Sequence, residues 1–587
     1  GVEFDSIIYS TFQPHLLELI TDGFDWNNQY FWRVRSCYQD ESFSEWSDMN
    51  TFFIKDLPEG LMDLNTALYE PDMVYEGITV LDQLWYGKIF AIDLSGKVIW
   101  FLDSNQVFDD GFVYKLGFTY FLKNGNILGY ADGRENNVSG RAFEMDVNNN
   151  LVWQGPGGLE GIGVHHDVIR LSNGNTMALT SQDMLLPIPE ADWPIEVEDI
   201  VWRGDRIIEW DQDGNQVWSW SCFDHFSQDD WDYGQILMSF GLGFYDWTHS
   251  NAIWYDEQDD AVYLSVRYLN RVTKIDYSTG NVIWNMGENT LSGDAEVGND
   301  LNFSMQHSIK VLENRNLMIY DNGNNNNTIQ SRGLEISVVD TDSIPLAEIV
   351  WQYQLPDTLS SGKMSDSDRL PNGNSLLTST STSHVLEVSY DSLKVWEILP
   401  YQNFSTYRGE RTAGLFTQLF SVIHPNFIES NQNKIISINE LNSHLSFSIF
   451  NYGHSDQVYH YILEDSNGWY SYDGTVEILS GDSYELTFNG QLNDSLMNNS
   501  LSLSVYPIDA PSLIEVYTFQ LDLDQSNNPM GDVNLDSVID VLDIILIIDI
   551  ILELYNPNEN QLILADLNND LLIDVLDVIM IVDIILS

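Results

Sequence analysis

Three histidines fall at one position of a repeated unit. His166 begins HDVIRLSNGNTMAL and His307 begins HSIKVLENRNLMIY, each seven residues before the first Asn of the following turn, Asn173 and Asn314. His249 begins the related HSNAIWYDEQDDAVYL, and Arg267 follows it by eighteen residues in SVRYLNRV. Neutral imidazoles are ligands for Zn²⁺, Cu²⁺ or Fe, and three of them alone can hold Zn²⁺. They are equally nucleophiles and general acids or bases. No carboxylate repeats at the histidine register, although Asp167 adjoins His166. A guanidinium fixed beside imidazoles suits an anionic tetrahedral group better than a cation. The residues by themselves therefore leave two readings, an anion pocket and a metal site.

Positioning those side chains requires a closed repeat. A half-repeat ends at Trp100 in KIFAIDLSGKVIW and recurs with its Trp at 153, 218, 284, 351 and 396. Each copy alternates apolar and polar residues on both sides of an Asp/Gly/Asn turn, which is the pattern of a β-hairpin. A second hairpin precedes most copies, as in FLKNGNILGY, LSNGNTMALT, LENRNLMIY and LPNGNSLLTS. Two hairpins per unit make a four-stranded blade, and six units predict a six-bladed β-propeller over residues 57–415. A linear array would leave sheet edges open, whereas equal positions in a ring point to one pole.

The chain has 587 residues and a formal net charge of −65, with 43% hydrophobic and 13% aromatic residues. So many aromatics argue against disorder. The acidity argues against nucleic acid and anionic membrane as partners. It fits a secreted, extracellular or cell-surface protein in salt water, with the periplasm as a further setting. Only Cys37 and Cys222 are present, too few for a cysteine metal site. Asp543 and Asp549 interrupt the strongest apolar run, so no transmembrane segment is expected. The sequence begins without Met or a signal peptide, which is expected of a mature form or a fragment.

Residues 416–525 alternate in short strands (LSFSIFNYG, VYHYILED, DSYELTFNG, LSLSVYPI) and predict a β-sandwich spacer or accessory module. Its His424, His444, His454 and His460 show no ligand spacing. Residues 526–587 carry two near duplicates, GDVNLDSVIDVLDIILIIDIIL and ADLNNDLLIDVLDVIMIVDIIL. Oxygen donors stand at loop positions 1, 3, 5, 9 and 12: Asp532, Asn534, Asp536, Asp540 and Asp543, then Asp566, Asn568, Asp570, Asp574 and Asp577. With the carbonyls of Val538 and Leu572 at position 7, each loop is a candidate structural calcium site. Position 6 holds Ser537 and Leu571 where such loops favour Gly.

Several stretches resemble known families. Residues 1–56, through YFWRVRSCYQDESFSEWSDMNTFFI with Trp32, are similar to the last strands of a fibronectin type III domain. The tandem loops, each followed by an apolar helix, resemble a dockerin and imply a cohesin-like or cell-surface partner. The pairs Val541/Leu542 and Val575/Leu576 stand where a dockerin reads its cohesin. HHDVIRLSNGNTMAL, the stretch from DWTHSN through Arg267 to WNMG, FSMQHSIKVLENRNLMIYDNGN and TYRGERTAGLF occur in the order found in bacterial arylsulfate sulfotransferases that use no nucleotide donor. That resemblance spans roughly residues 65–415. It implies a six-bladed β-propeller, and with the flanking stretches the expected fold is mainly β, a six-bladed β-propeller flanked by β-sandwich domains with a small α-helical dockerin-like tail. It also implies transfer of a sulfuryl group from an aryl sulfate donor to a phenolic acceptor, by a ping-pong route with no catalytic cofactor. His307 then corresponds to the transiently sulfated nucleophile, His249 and Arg267 to sulfate-binding residues, and His166 to a further active-site histidine, with His165 the alternative one register away. Trp247, Tyr268 and Phe303 are candidates to stack on an aryl ring, and Arg408 and Arg411 to pack at ring closure. Two rivals use the same ring: a non-catalytic glycan- or protein-binding propeller, and a metal-dependent lyase or hydrolase.

Overall fold

The computed structural model describes all residues except 1–23, 36–41, 105–112, 134–139, 157–162, 195–197, 326–327, 340, 342–343, 402–403, 424–426, 431–432, 439–442, 492–498, 524–528, 537, 553, 569, 571 and 587. Cys37, His424, Ser537 and Leu571 thus lie outside the described residues. The chain divides into two compact units, one running to Thr417 and the other from Gln418.

The first unit is mainly β and propeller-like. Among the described residues, six mainly antiparallel sheets of four or more strands follow one another along the chain. Their first strands include Val164–Arg170 in the third sheet, Ser250–Asp256 in the fourth and His307–Val311 in the fifth. First strands touch the neighbouring sheets, and the sixth sheet touches the first. Both ends of the unit serve as clasps. Gly409–Thr412 supplies the innermost strand of the first sheet by pairing with Ile78–Gln83, while Asn65–Tyr69 adds an outer strand to Lys394–Leu399 in the sixth. A clasp made from chain ends removes the open edges that a linear array would expose.

The repeated residues are rivets between sheets. Trp100, Trp218, Trp351 and Trp396 donate their indole N–H to the carbonyls of Val147, Tyr277, Tyr390 and Leu94, each in the following sheet, at 2.7–2.9 Å. The recurrent turn Asn residues bond a glutamate in the third strand of their own sheet: Asn126 to Glu144, Asn175 to Glu209, Asn316 to Glu335 and Asn374 to Glu387. Three of these glutamates also take an arginine from the next sheet, pairing Arg170 with Glu144, Arg369 with Glu335, and Arg411 with Glu387.

The last pair closes the ring, and both of its side chains have 0% exposure. Arg411 also bonds Thr79 and the carbonyl of Tyr75. Removing one partner of a buried pair leaves an uncompensated charge. Arg411→Met is therefore expected to lower stability by about 3–5 kcal/mol in urea unfolding, with Arg411→Met/Glu387→Gln recovering part of the loss.

Ahead of the ring, Asn28–Trp32 and Asn50–Ile54 form an isolated two-stranded antiparallel sheet. The second unit contains a three-stranded and a six-stranded sheet around Ile449, Tyr459, Leu463, Leu503 and Val505. Its strand His444–Asn451 alternates buried and half-exposed residues, as one face packed on a core requires. His444 is exposed there, and His460 pairs with Asp473 at 2.8 Å.

Three helices follow: Val541–Ile551, Glu559–Ala565 and Val575–Leu586. They share a small core of Val533, Ile547, Leu564, Ala565 and Ile581. Asp540 and Asp543 form a capping box on the first. The third begins the same way, with Asp574 accepting from Leu576 N and Asp577 from Asp574 N. No helix among the described residues is long and apolar enough to cross a membrane.

Candidate active site

His166, His249 and His307 come from three consecutive sheets at equivalent places. His166 lies within Val164–Arg170, His249 immediately precedes Ser250–Asp256, and His307 opens His307–Val311. Strand pairing slips at each of these points. His166 and His249 have φ of 57° and 48°, and Ser308, next to His307, has 60°. Left-handed backbone is unfavourable for a side chain larger than Gly and persists only where the surroundings enforce it. The three kinks break the in/out alternation of the strands where the imidazoles gather.

The rings converge around Tyr407, which the clasp segment brings in. The centroids of His166 and His249 are 5.1 Å apart, and that of Tyr407 lies 6.3 Å from His166 and 6.2 Å from His307. Arg267 follows the second strand of the fourth sheet. Tyr268 separates Arg267 from His249, with the guanidinium carbon and the imidazole each 4.8 Å from its ring. Arg267 donates to the carbonyl of Gly362 at 3.3 Å, and its Nε is buried with no hydrogen-bond partner among the described residues. A guanidinium with an unsatisfied buried donor is suited to an anion.

Neighbours fix the protons on two rings. His307 Nδ1 faces two acceptors, Asn322 Oδ1 at 2.8 Å and the Met305 carbonyl at 3.1 Å, so it carries the hydrogen. Its Nε2 accepts the backbone N–H of Met364 at 3.1 Å and so carries the lone pair. Burial holds the His307 pKa well below the usual imidazole value, and the nearby Arg267 charge adds to this. His249 Nδ1 lies 2.5 Å from Asp246 Oδ2, which makes Nδ1 the donor of that bond. His166 is also held well below the usual value, first by burial and then by His165. His165 stands behind His166, with Nδ1 atoms 2.8 Å apart, and its Nε2 approaches Asp205 at 3.3 Å.

Below the histidines lies a polar floor. Arg408 donates to Asp167 at 2.8 Å and to the His166 carbonyl at 3.2 Å, tying the clasp to the third sheet. Of the aromatic candidates, Trp247 and Phe303 are in the core with 0% and 3% exposure. Only Tyr268 borders the histidines. Among the described residues no group of three or more His, Cys, Asp and Glu is arranged to hold a metal ion.

All four candidate residues thus lie in one neighbourhood. Asn322, Asp246 and Tyr407 join them, and the sequence offered only their positions inside MIYDNGN, DWTHSN and TYRGERTAGLF. None shares a register with the histidines, so periodicity gave no signal for them.

Among solved structures, the chain is similar to a streptogramin B lyase (13% identity, 64% of this chain and 89% of that one, TM-score 0.33). It is also similar to a periplasmic gluconolactonase of Pseudomonas aeruginosa (10%, 65% and 91%, 0.30) and to a protein of unknown function from Bacteroides caccae (10%, 57% and 98%, 0.35). Likeness at these scores says nothing about chemistry. No curated protein sequence matches the chain. Residues 55–410, which contain every member of the histidine cluster, match the arylsulfotransferase (ASST) family. The chain belongs to the arylsulfotransferase family.

Proposed function

We propose that the first unit is a six-bladed β-propeller acting as an extracellular arylsulfate sulfotransferase, with His307 as the group that carries the sulfuryl. The observation that carries this reading is the meeting of a neutral, oriented His307 with Arg267, whose buried Nε has no partner, and with His166 and His249. The His307 Nε2 lone pair attacks sulfur, the S–O bond to the aryl group breaks, and its electron pair leaves on the phenolate oxygen. Arg267 holds the sulfuryl oxygens, and His249, whose Nδ1 hydrogen is held by Asp246, carries a second proton on Nε2 that it passes to the leaving oxygen. A phenol then enters, returns its proton to that histidine and removes the sulfuryl group from His307. A depressed imidazole pKa serves this chemistry because a protonated ring has no lone pair to offer.

Release of 4-nitrophenol from 4-nitrophenyl sulfate that requires added phenol and persists in EDTA is the expected result. Release independent of phenol would make the protein a sulfatase, loss in EDTA would favour the metal-dependent rival, and no turnover would favour the binding module.

The tail is proposed to be a dockerin-like calcium module that docks the enzyme to a cohesin-like or cell-surface partner. Calcium fits an all-oxygen donor set in which Asp532, Asp543 and Asp577 have 0% exposure and Asp566 has 7%, while Asp536 and Asp570 are exposed. Asp543 would close the first loop with Asp532, Asn534, Asp536, the Val538 carbonyl and Asp540. Asp577 would close the second with Asp566, Asn568, Asp570, the Leu572 carbonyl and Asp574. Within each loop the carboxylates presently accept backbone N–H groups, as Asp543 does from Asn534 and Asp540. Calcium supplies the charge that lets so many carboxylates share one loop. Chelation is expected to melt the three helices, read as lost helical circular dichroism and a lower Tm. Sulfuryl transfer by a form ending before residue 526 should be unchanged by the same treatment. The N-terminal hairpin completes the proposal as a partial fibronectin type III module.

A further inference from the structure

We propose that Asn322 is the positioning residue of the nucleophile: its amide oxygen keeps the proton on His307 Nδ1, and its amide nitrogen holds the backbone strap that covers His307 Nε2. The inference rests on the reading of His307 as the sulfuryl acceptor. Asn322 has 0% exposure and follows Leu317–Asp321, the second strand of the fifth sheet. Its Oδ1 lies 2.8 Å from His307 Nδ1, while Nδ2 donates to the Ser361 carbonyl at 2.7 Å and the Met364 carbonyl at 3.1 Å. Two carbonyls facing one end of the amide fix it as the NH₂ end, so the oxygen must face the imidazole.

The strap, residues 361–365, is held in an unfavourable backbone. Met364 and Ser365 have φ of 54° and 86°, and neither is Gly. What the strap gains is contact with both groups that would meet a sulfuryl ester. The Met364 N–H caps the nucleophilic lone pair, and the Gly362 carbonyl takes the Arg267 guanidinium together with Asn324. Asn322 is the side chain common to the strap and the nucleophile.

The chemistry gives this arrangement a reason. As Nε2 bonds to sulfur and the aryl oxygen leaves with the S–O electron pair, Nδ1 keeps its hydrogen and the ring becomes cationic. The sulfuryl group retains its negative charge. The Nδ1–H···Oδ1 bond then becomes charge-assisted, and it is stronger in the transition state than before it. Met364 N–H loses the lone pair it capped and becomes a donor for a sulfuryl oxygen.

The test uses the full chain labelled with ¹⁵N-histidine, with the His307 signals assigned by their loss in His307→Ala. In the wild type, Nδ1 is expected to be protonated and Nε2 to show the shift of an unprotonated nitrogen that accepts a hydrogen bond from Met364 N–H. Asn322→Asp keeps an oxygen opposite Nδ1 and should keep that pattern, whereas Asn322→Leu should give a mixture of tautomers. Stopped-flow release of the first equivalent of 4-nitrophenolate is expected to slow on the order of 10²-fold in Asn322→Leu, and less in Asn322→Asp. A wild-type His307 protonated on Nε2, or a folded Asn322→Leu with the wild-type tautomer and burst rate, would overturn the inference. A wild type with no burst would instead overturn sulfuryl transfer, and the nitrogen spectra would still decide what Asn322 does.

Discussion

Replacing His307 by alanine is expected to abolish the burst of 4-nitrophenolate and all transfer to phenol, a loss on the order of 10⁴-fold or more. The size follows from the mechanism. His307 is the only group proposed to form a bond to sulfur, so its loss removes both half-reactions. A water in the space left by the ring would be a far weaker nucleophile than the imidazole it replaces. His249→Ala and His166→Ala should cost less, since a phenolate is a good leaving group. The wild-type burst is expected to stay flat from about pH 8 to about pH 6, because a ring held well below the ordinary imidazole value remains neutral there. Rapid alkaline-quench mass analysis with 4-nitrophenyl sulfate should find one added sulfuryl group on wild type and none on His307→Ala. A burst or a sulfated adduct in His307→Ala would assign the nucleophile elsewhere, with His166 next in line.

Much of this was legible in the sequence wherever a residue repeats. Four of the six Trp positions and the turn Asn residues recur because each performs one joining task in its sheet. Trp100, Trp218, Trp351 and Trp396 each reach a carbonyl of the next sheet. The histidines stood out because the strands that carry them are equivalent. What periodicity cannot reveal is a residue used once. Asn322 lies beside His307 across the mouth of a hairpin, fifteen residues on, and Tyr407 arrives from the clasp after the last repeat. Asp246 follows an insertion holding the helix Tyr233–Leu242, and reaches the site because Tyr245–Asp246 pairs in parallel with Trp202–Arg203. Burial was also invisible. Trp247, Phe303 and Tyr268 are all aromatic residues near a motif, and only packing separates the two in the core from the one beside Arg267.

The second large effect is expected at Arg267. Arg267→Met should lower kcat/KM for 4-nitrophenyl sulfate by roughly 10²- to 10³-fold, the scale for removing one oriented donor from a developing oxyanion. The chain carries 24 Lys plus Arg against 89 Asp plus Glu, so an anionic ester approaches against the overall field. A local cation must offset that repulsion. Arg408 does not do so, because its charge is already paired with Asp167. Arg267 has no carboxylate partner among the described residues, and its bond to the Gly362 carbonyl is a long one that a sulfuryl oxygen can replace. Tyr268 fixes the guanidinium against one face while His249 occupies another approach to the same ring. Arg267→Lys keeps the charge but loses the planar fork and its stacking, so it should recover only part of the rate. If charge alone were the requirement, Lys would match the wild type and both would share the same salt dependence. If orientation matters as argued, Arg267→Lys keeps the wild-type salt dependence while kcat stays depressed, and Arg267→Met loses both.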